Sequence, residues 1–343
     1  MRALVVHAAK DLRADVLRDE APGEGQVLVR TAAGGICGSD LHYYHHGGFG
    51  TVRLKEPMVL GHEVSGRVAE LGAGVTGLAP GDLVAINPSR PCGACRYCRE
   101  GTPNHCMDMR FYGSAMPFPH IQGAFREALV VDAAQCVKAE GITAGEAAMA
   151  EPLSVALHAI RRAGPLLGKR VLVTGCGPIG VLTVLAARRA GAAEIVATDI
   201  EDQPLTHAMT AGADRAVNVM KEADALAGYG ADKGHFDLLC EASGAQAALV
   251  AGIGALRPRG VVVQLGLGGD MTLPMMQVTA KELELRGSFR FHEEFPLAVE
   301  MIAKGLIDVK PLITHTIGFD DAVKAFELAG DRSRVMKAQI AFN

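Results

Sequence analysis

Over its first 150 residues the chain reads as short alternating or apolar runs, among them VLVRTA, DLVAI and REALVV, broken by Gly and Pro clusters. Successive side chains on a strand face opposite sides, so these runs predict half-buried strands and a β-rich, barrel-like first region. From Lys169 the texture changes. RVLVT is followed by PIGVLTVLAARRAG, with apolar residues at helical spacing, then by EIVATDI and later by FDLLCEA and GVVVQLG. Short apolar runs alternating with helices predict a parallel sheet with crossover helices. After Leu285 come LRGSFRF, two helical stretches, EEFPLAVEMIAKG and DDAVKAFELAG, and a closing KAQIAF strand, a tail expected to return to the first region.

A length of 343 residues at roughly 150 per domain gives about two domains. The 34 basic residues are outnumbered by 38 acidic ones and form no long run, which argues against a nucleic-acid partner. No apolar run is long enough for a membrane span, and MRALVVHAAKDLRADV lacks the pattern of a signal peptide, so a cytoplasmic protein is expected. In that setting eight cysteines point to metal or catalysis rather than to disulfides.

Four of them, Cys92, Cys95, Cys98 and Cys106, lie in PCGACRYCREGTPNHC. Four close thiolates complete a tetrahedral Zn²⁺ shell and leave no place for substrate, so this zinc would be structural. Iron–sulfur clusters use similar thiolate runs and are the alternative on spacing. His105, beside Cys106, reads as a loop residue. Upstream, GGICGSDLHYY supplies Cys37, Ser39, Asp40 and His42, and GHEVSG supplies His62 and Glu63. A thiolate, an imidazole and a carboxylate form an open Zn²⁺ site, with a position left for water or substrate. On a regular strand only one of His62 and Glu63 would face the ion. Gly61 permits an irregular backbone there, and Glu151 in AEPLSV is a second candidate carboxylate.

VLVTGCGPIG sets Gly175, Gly177 and Gly180 as G-x-G-x-x-G directly after an apolar strand and at the mouth of a helix. Such glycines allow a tight turn and the close approach of a pyrophosphate to a helix N-terminus. The next strand ends in Asp199, placed to accept hydrogen bonds from the adenosine ribose. Ile200, Glu201, Asp202 and Gln203 offer no cation for a 2′-phosphate, so NAD is expected over NADP. Pro178 and Ile179 in the loop, with Leu265 at the end of GVVVQLG, complete the candidate cofactor contacts.

Together these features resemble the zinc-containing medium-chain alcohol and polyol dehydrogenases, over essentially the whole chain. The marks are GHEVSGRVAELGAGV, with Gly61, His62, Glu63, Gly66, Gly72 and Val75 on the family's zinc signature, and the four-cysteine lobe. The resemblance implies an α/β chain with a GroES-like catalytic domain, residues 1–152 completed by 290–343, and an inserted Rossmann domain over 153–289, with the catalytic cleft between them. Glu151-Pro152 stands where the dimeric alcohol dehydrogenases have a cysteine, which implies Cys37, His62, Glu63 or Glu151, and water around the catalytic zinc. Ser39 and His42 match the family's proton-relay positions, with Glu151 beside them.

The implied reaction is reversible oxidation of a secondary alcohol by NAD, with two Zn²⁺ per chain, one catalytic and one structural. The expected substrate is a small sugar acid or, as the rival reading, a polyol. A buried carboxylate needs a cation, and Arg110, in DMRFYGSAMPFPH, and Arg290, in RGSFRF, are the candidates. The resemblance further suggests a homo-tetramer. A zinc-stabilised nucleotide-binding protein without turnover is the non-enzyme rival, and the catalytic set Cys37, His62, Ser39 and His42 speaks against it. A zinc-free quinone reductase would need neither cysteine set.

Overall fold

The structure is a computed structural model and describes residues 1–222 and 224–342. It divides into two compact units. The first contains Met1–Glu151, Phe295–Asp331 and the chain from Lys337 onward; the second contains Pro152–Glu294 and Arg332–Met336.

The first unit is built on a seven-stranded sheet with Gln26–Gly35 near its middle. That strand pairs antiparallel with Glu63–Leu71, with Ala128–Asp132 and with the final strand Lys337–Ala341. The VLVRTA, DLVAI and REALVV runs all fall on this sheet, and Val27, Val29, Leu129 and Val131 point into a dry core. Alternation fails at Gly34 and Gly35, which are both buried. A Cβ on Gly34 would stand 2.6 Å from the Phe125 ring, so the neighbouring elements approach too closely for any side chain. This close-packed corner underlies the functional site.

The second unit is a six-stranded parallel sheet in the order Arg215–Asn218, Glu194–Asp199, Arg170–Thr174, Phe236–Glu241, Leu256–Gln264, Glu284–Gly287. The central strands carry Val171, Leu172, Val173, Ile195 and Leu239, none of them exposed, as a sheet covered on both faces requires. PIGVLTVLAARRAG forms the helix Pro178–Arg189, with Pro at its start, where a missing N–H costs nothing. Strand order reverses between Arg170–Thr174 and Phe236–Glu241, the switch point at which sheets of this kind hold ligands. LRGSFRF departs from an extended run. The edge strand stops at Gly287, and Arg290 takes a left-handed backbone with φ 55°.

Candidate active site

Cys37 caps the helix Gly38–His46, and its thiol, a His62 ring nitrogen and a Glu63 carboxylate oxygen lie within 4.8 Å of one another. The strand begins only at Glu63, and His62 precedes it in irregular backbone after Gly61, whose φ is 93°. The period-two rule therefore does not reach His62, and both side chains face Cys37. Gly61 has no substitute: besides its left-handed φ, a Cβ there would meet Phe125 at 2.2 Å.

Asp40, fully buried, ties these pieces together. One carboxylate oxygen accepts the Cys37 N–H at 3.0 Å and the other accepts the Gly61 N–H at 3.1 Å, while His62 Nδ1 lies 3.8 Å away. Burial raises the Asp40 pKa above the ordinary carboxylate value. Burial also opposes a charged His62, yet Asp40 and Cys37 bring its pKa above that of a free imidazole.

Lys337, from the last strand, is 2% exposed and donates to Glu63 Oε1 at 2.7 Å and to the Ile36 carbonyl at 3.1 Å. Its Nζ is also 2.6 Å from Glu63 Oε2, an ion-pair approach without hydrogen-bond alignment, so that oxygen keeps its acceptor capacity. Gly35 is bare because a Cβ would fall 2.1 Å from the same oxygen. Glu151 is buried in the first turn of the helix Ala150–Ala163 but lies outside the three-ligand group. Burial pushes its pKa up to about 7, against the pull of His62 and Lys337.

This donor set fits a divalent cation. Three buried carboxyls and a thiol gather around Lys337 and His62, and His62 Nδ1 has no hydrogen-bond partner among the described residues. An imidazole, a thiol and a carboxylate are ligands that Zn²⁺ takes at an open site. Ser39 and His42 lie on the same helix, three residues apart and hence on one face. His42 is exposed, and burial against its surroundings, with His46 nearby, lowers its pKa.

The second cysteine set is also assembled. Cys92, Cys95, Cys98 and Cys106 bring their sulfurs within 4.8 Å, with Cys95 Sγ 3.5 Å from Cys98 and 3.9 Å from Cys106. A tetrahedron with Zn–S near 2.3 Å has edges of about 3.8 Å, so the spacing fits. The Cys92 N–H donates to Cys106 Sγ and the Cys95 N–H to Cys92 Sγ. Backbone N–H groups, that of Met107 foremost, hold the Cys95 thiol down at about 6, while burial pushes Cys98 up to about 12.

In the second unit the dinucleotide loop has the shape its glycines imply. Gly175 has φ 84°, and a Cβ on Gly180 would stand 1.8 Å from the Gly175 carbonyl. A Cβ on Gly177 would meet nothing within 4 Å, so open space lies where a pyrophosphate approaches the helix N-terminus. Pro178 and Ile179 open that helix, and the Leu265 N–H donates to the Glu241 carbonyl. Asp199 ends its strand with a buried carboxylate. Arg332, from the far end of the chain, donates to Asp199 Oδ2 at 3.0 Å.

The two substrate-arginine candidates fall in different units. Arg110 is exposed on the short strand Arg110–Phe111, and its neighbour Phe111 packs 5.5 Å from the His62 ring. Arg290 follows the edge strand in the second unit. Lys337 and Arg332 carry no local motif and are not singled out by the sequence. Asp40 is, without a role, although an acid three residues after a helix cap is a signal for one.

Two family profiles match the chain: Alcohol dehydrogenase GroES-like domain over residues 23–141, and Zinc-binding dehydrogenase over 178–304. The chain is 46% identical over 319 residues to L-idonate 5-dehydrogenase (NAD(P)(+)) of Escherichia coli K12, spanning 92% of both chains. It is 40% identical over 332 residues to human sorbitol dehydrogenase, spanning 95% of this chain and 91% of that one. The crystal structure of L-idonate 5-dehydrogenase from Escherichia coli superposes with a TM-score of 0.95 at 44% identity, over 99% of this chain and 98% of that one. The two family profiles, with relatives matched over more than nine-tenths of their length, place this chain in the zinc-containing medium-chain dehydrogenases. Within that family it belongs with the zinc-dependent polyol and sugar-acid dehydrogenases. Among the described residues no helix is long and apolar enough to cross a membrane.

Proposed function

We propose that this chain oxidises a secondary hydroxyl of a sugar acid with a nicotinamide dinucleotide, NAD in the first instance, and that the substrate is L-idonate, giving 5-keto-D-gluconate. The observation that carries the chemistry is the group of half-buried Cys37 with buried His62 and Glu63 at the head of the helix that bears Ser39 and His42. The likeness to L-idonate 5-dehydrogenase supports the substrate.

Cys37, His62 and Glu63 would hold the catalytic zinc, with Glu151 as a further carboxylate, and Cys92, Cys95, Cys98 and Cys106 the structural one. Bound zinc supplies Lewis acidity at the substrate oxygen, and the nicotinamide supplies the hydride acceptor. Asp40 fixes the Cys37 and Gly61 backbone and sits against the far side of the His62 ring, so the ligands are oriented before anything binds. Ser39 takes the hydroxyl proton, and His42, one helical turn further and exposed, passes it to water. The lowered pKa of His42 keeps its ring neutral and able to accept that proton. Asp199 and the Gly175–Gly180 loop bind the adenosine half of the dinucleotide. Arg110 or Arg290 is the candidate cation for the substrate carboxylate. The unpaired edge Glu284–Gly287, with Leu285 exposed, supports self-association of the second unit, consistent with a homo-oligomer.

The test is NADH formation on L-idonate, D-gluconate, sorbitol and xylitol, with protein whose zinc has been counted. Turnover of idonate alone supports the proposal. Preference for the polyols moves the substrate to a sugar alcohol, the reading that the sorbitol dehydrogenase likeness favours, and leaves the metal and nucleotide roles intact. No turnover of any of the four would leave a zinc-stabilised nucleotide-binding protein.

A further inference from the structure

Four donors surround the Asp199 carboxylate. Oδ2 accepts the Cys176 N–H at 2.6 Å and Arg332 Nη2 at 3.0 Å, and Oδ1 accepts the Ile200 N–H at 2.7 Å and the Glu201 N–H at 3.1 Å. A carboxylate offers about four lone-pair directions, so the protein itself fills the positions that a ribose diol would use. Three of the donors are backbone and cannot leave. Arg332 is a half-exposed side chain, 52% accessible, and can.

The charges nearby are arranged in the same sense. Asp199 alone would repel a 2′-phosphate, but the Arg332 guanidinium stands against it with the rest of its fork available for a second anion. Asp202, three residues on, is engaged by Lys221 and by Asn218. Glu201 remains an exposed acid, which keeps the site from being selective for phosphate.

We infer that Arg332 is the residue that sets the choice of dinucleotide: it swings off Asp199 to admit the 2′-hydroxyl of NAD, and turns onto the 2′-phosphate of NADP, so the chain uses both. This rests on the nucleotide reading given above. A cation brought by the chain from 133 residues away supplies what the stretch after Asp199 lacks.

Titration of the zinc-replete protein with NADH and with NADPH, followed by nucleotide fluorescence, tests this without substrate or turnover. The unaltered protein is expected to bind both. Arg332→Gln should weaken NADPH at least tenfold and tighten NADH, because the Asp199 acceptor is released, and Arg332→Lys should restore part of the NADPH affinity. The added salt that screens a phosphate contact should weaken NADPH more than NADH. Binding of NADH with none of NADPH, or an equal effect of Arg332→Gln on the two, overturns the proposal. Binding of neither by the unaltered protein overturns the nucleotide reading beneath it as well.

Discussion

Replacing Lys337 by Met removes the lysine that pairs with Glu63 and leaves a 1%-exposed carboxylate near two other buried acids, Asp40 and Glu151. Met keeps most of the volume, so the loss is one of charge rather than of packing. Removing one partner of a buried ion pair costs about 3–5 kcal/mol, because the remaining charge is still desolvated. At about 2–4 °C per kcal/mol for a unit of this size, the melting temperature should fall by roughly 6–20 °C. The informative comparison is the double variant Lys337→Met/Glu63→Gln, in which neither charge remains and the cost should drop to about 1–2 kcal/mol. Calorimetric melts of the unaltered protein, both single variants and the double close the cycle. A single Lys337→Met variant that costs under about 1 kcal/mol, or a double that costs as much as that single, would refute the argument that the lysine is retained to balance Glu63.

Three further outcomes follow from the same geometry. Cys95→Ala should release one zinc per chain, read by metal analysis, and lower the melting temperature; a fully metallated variant would contradict a structural role for the cluster. Gly177→Ala should melt within a degree or so of the unaltered protein, since its Cβ meets nothing, yet weaken NADH about tenfold by occupying the pyrophosphate's approach. In the second unit, burial raises the Glu294 pKa but His158 and the His292 N–H outweigh it and hold it at about 2, against 4.5 when free. A depressed carboxyl pKa contributes stability above the free value and loses it as pH falls toward the folded one. Glu294→Gln should therefore cost about 2–3 kcal/mol at pH 7 and progressively less between pH 4.5 and 2; equal destabilisation at both ends of that range would sink the assignment.

What the sequence made legible was whatever lies close together along the chain. The four-cysteine lobe spans fifteen positions, and the Gly-rich loop carries strand, turn and helix in one stretch, so spacing alone was informative. The helices beginning at Pro178, Glu294 and Ala322 and the strand ending at Asp199 were equally visible, because burial on a parallel sheet imposes local apolar patterns. His62 and Glu63 were ambiguous because strand alternation was applied to a residue that stands just before the strand, where a left-handed glycine resets the direction of the chain. Lys337 and Arg332 were invisible for a different reason. Each meets its acid across more than a hundred residues of chain, and an isolated Lys or Arg in a polar stretch has no pattern to distinguish it from a solvated one. The reading that no cation awaits a 2′-phosphate rested on the residues that follow Asp199 along the chain, and could not take in Arg332, which donates to that acid from 133 positions away.

The pairing of Glu63 with Lys337 also bears on how the protein is made. The two residues are separated by 274 positions, and the strand that carries Lys337 enters the interior of the seven-stranded sheet beside residues 33–35. At about 5–20 residues per second, a ribosome delivers Lys337 roughly 15–50 s after Glu63. Throughout that interval the first unit lacks an interior strand and Glu63 lacks the lysine that pairs with it, whereas the six strands of the second unit's sheet, all between residues 170 and 287, have emerged before Lys337 does. The corner around Glu63 is thus completed only when the strand carrying Lys337 arrives, which makes that strand its keystone.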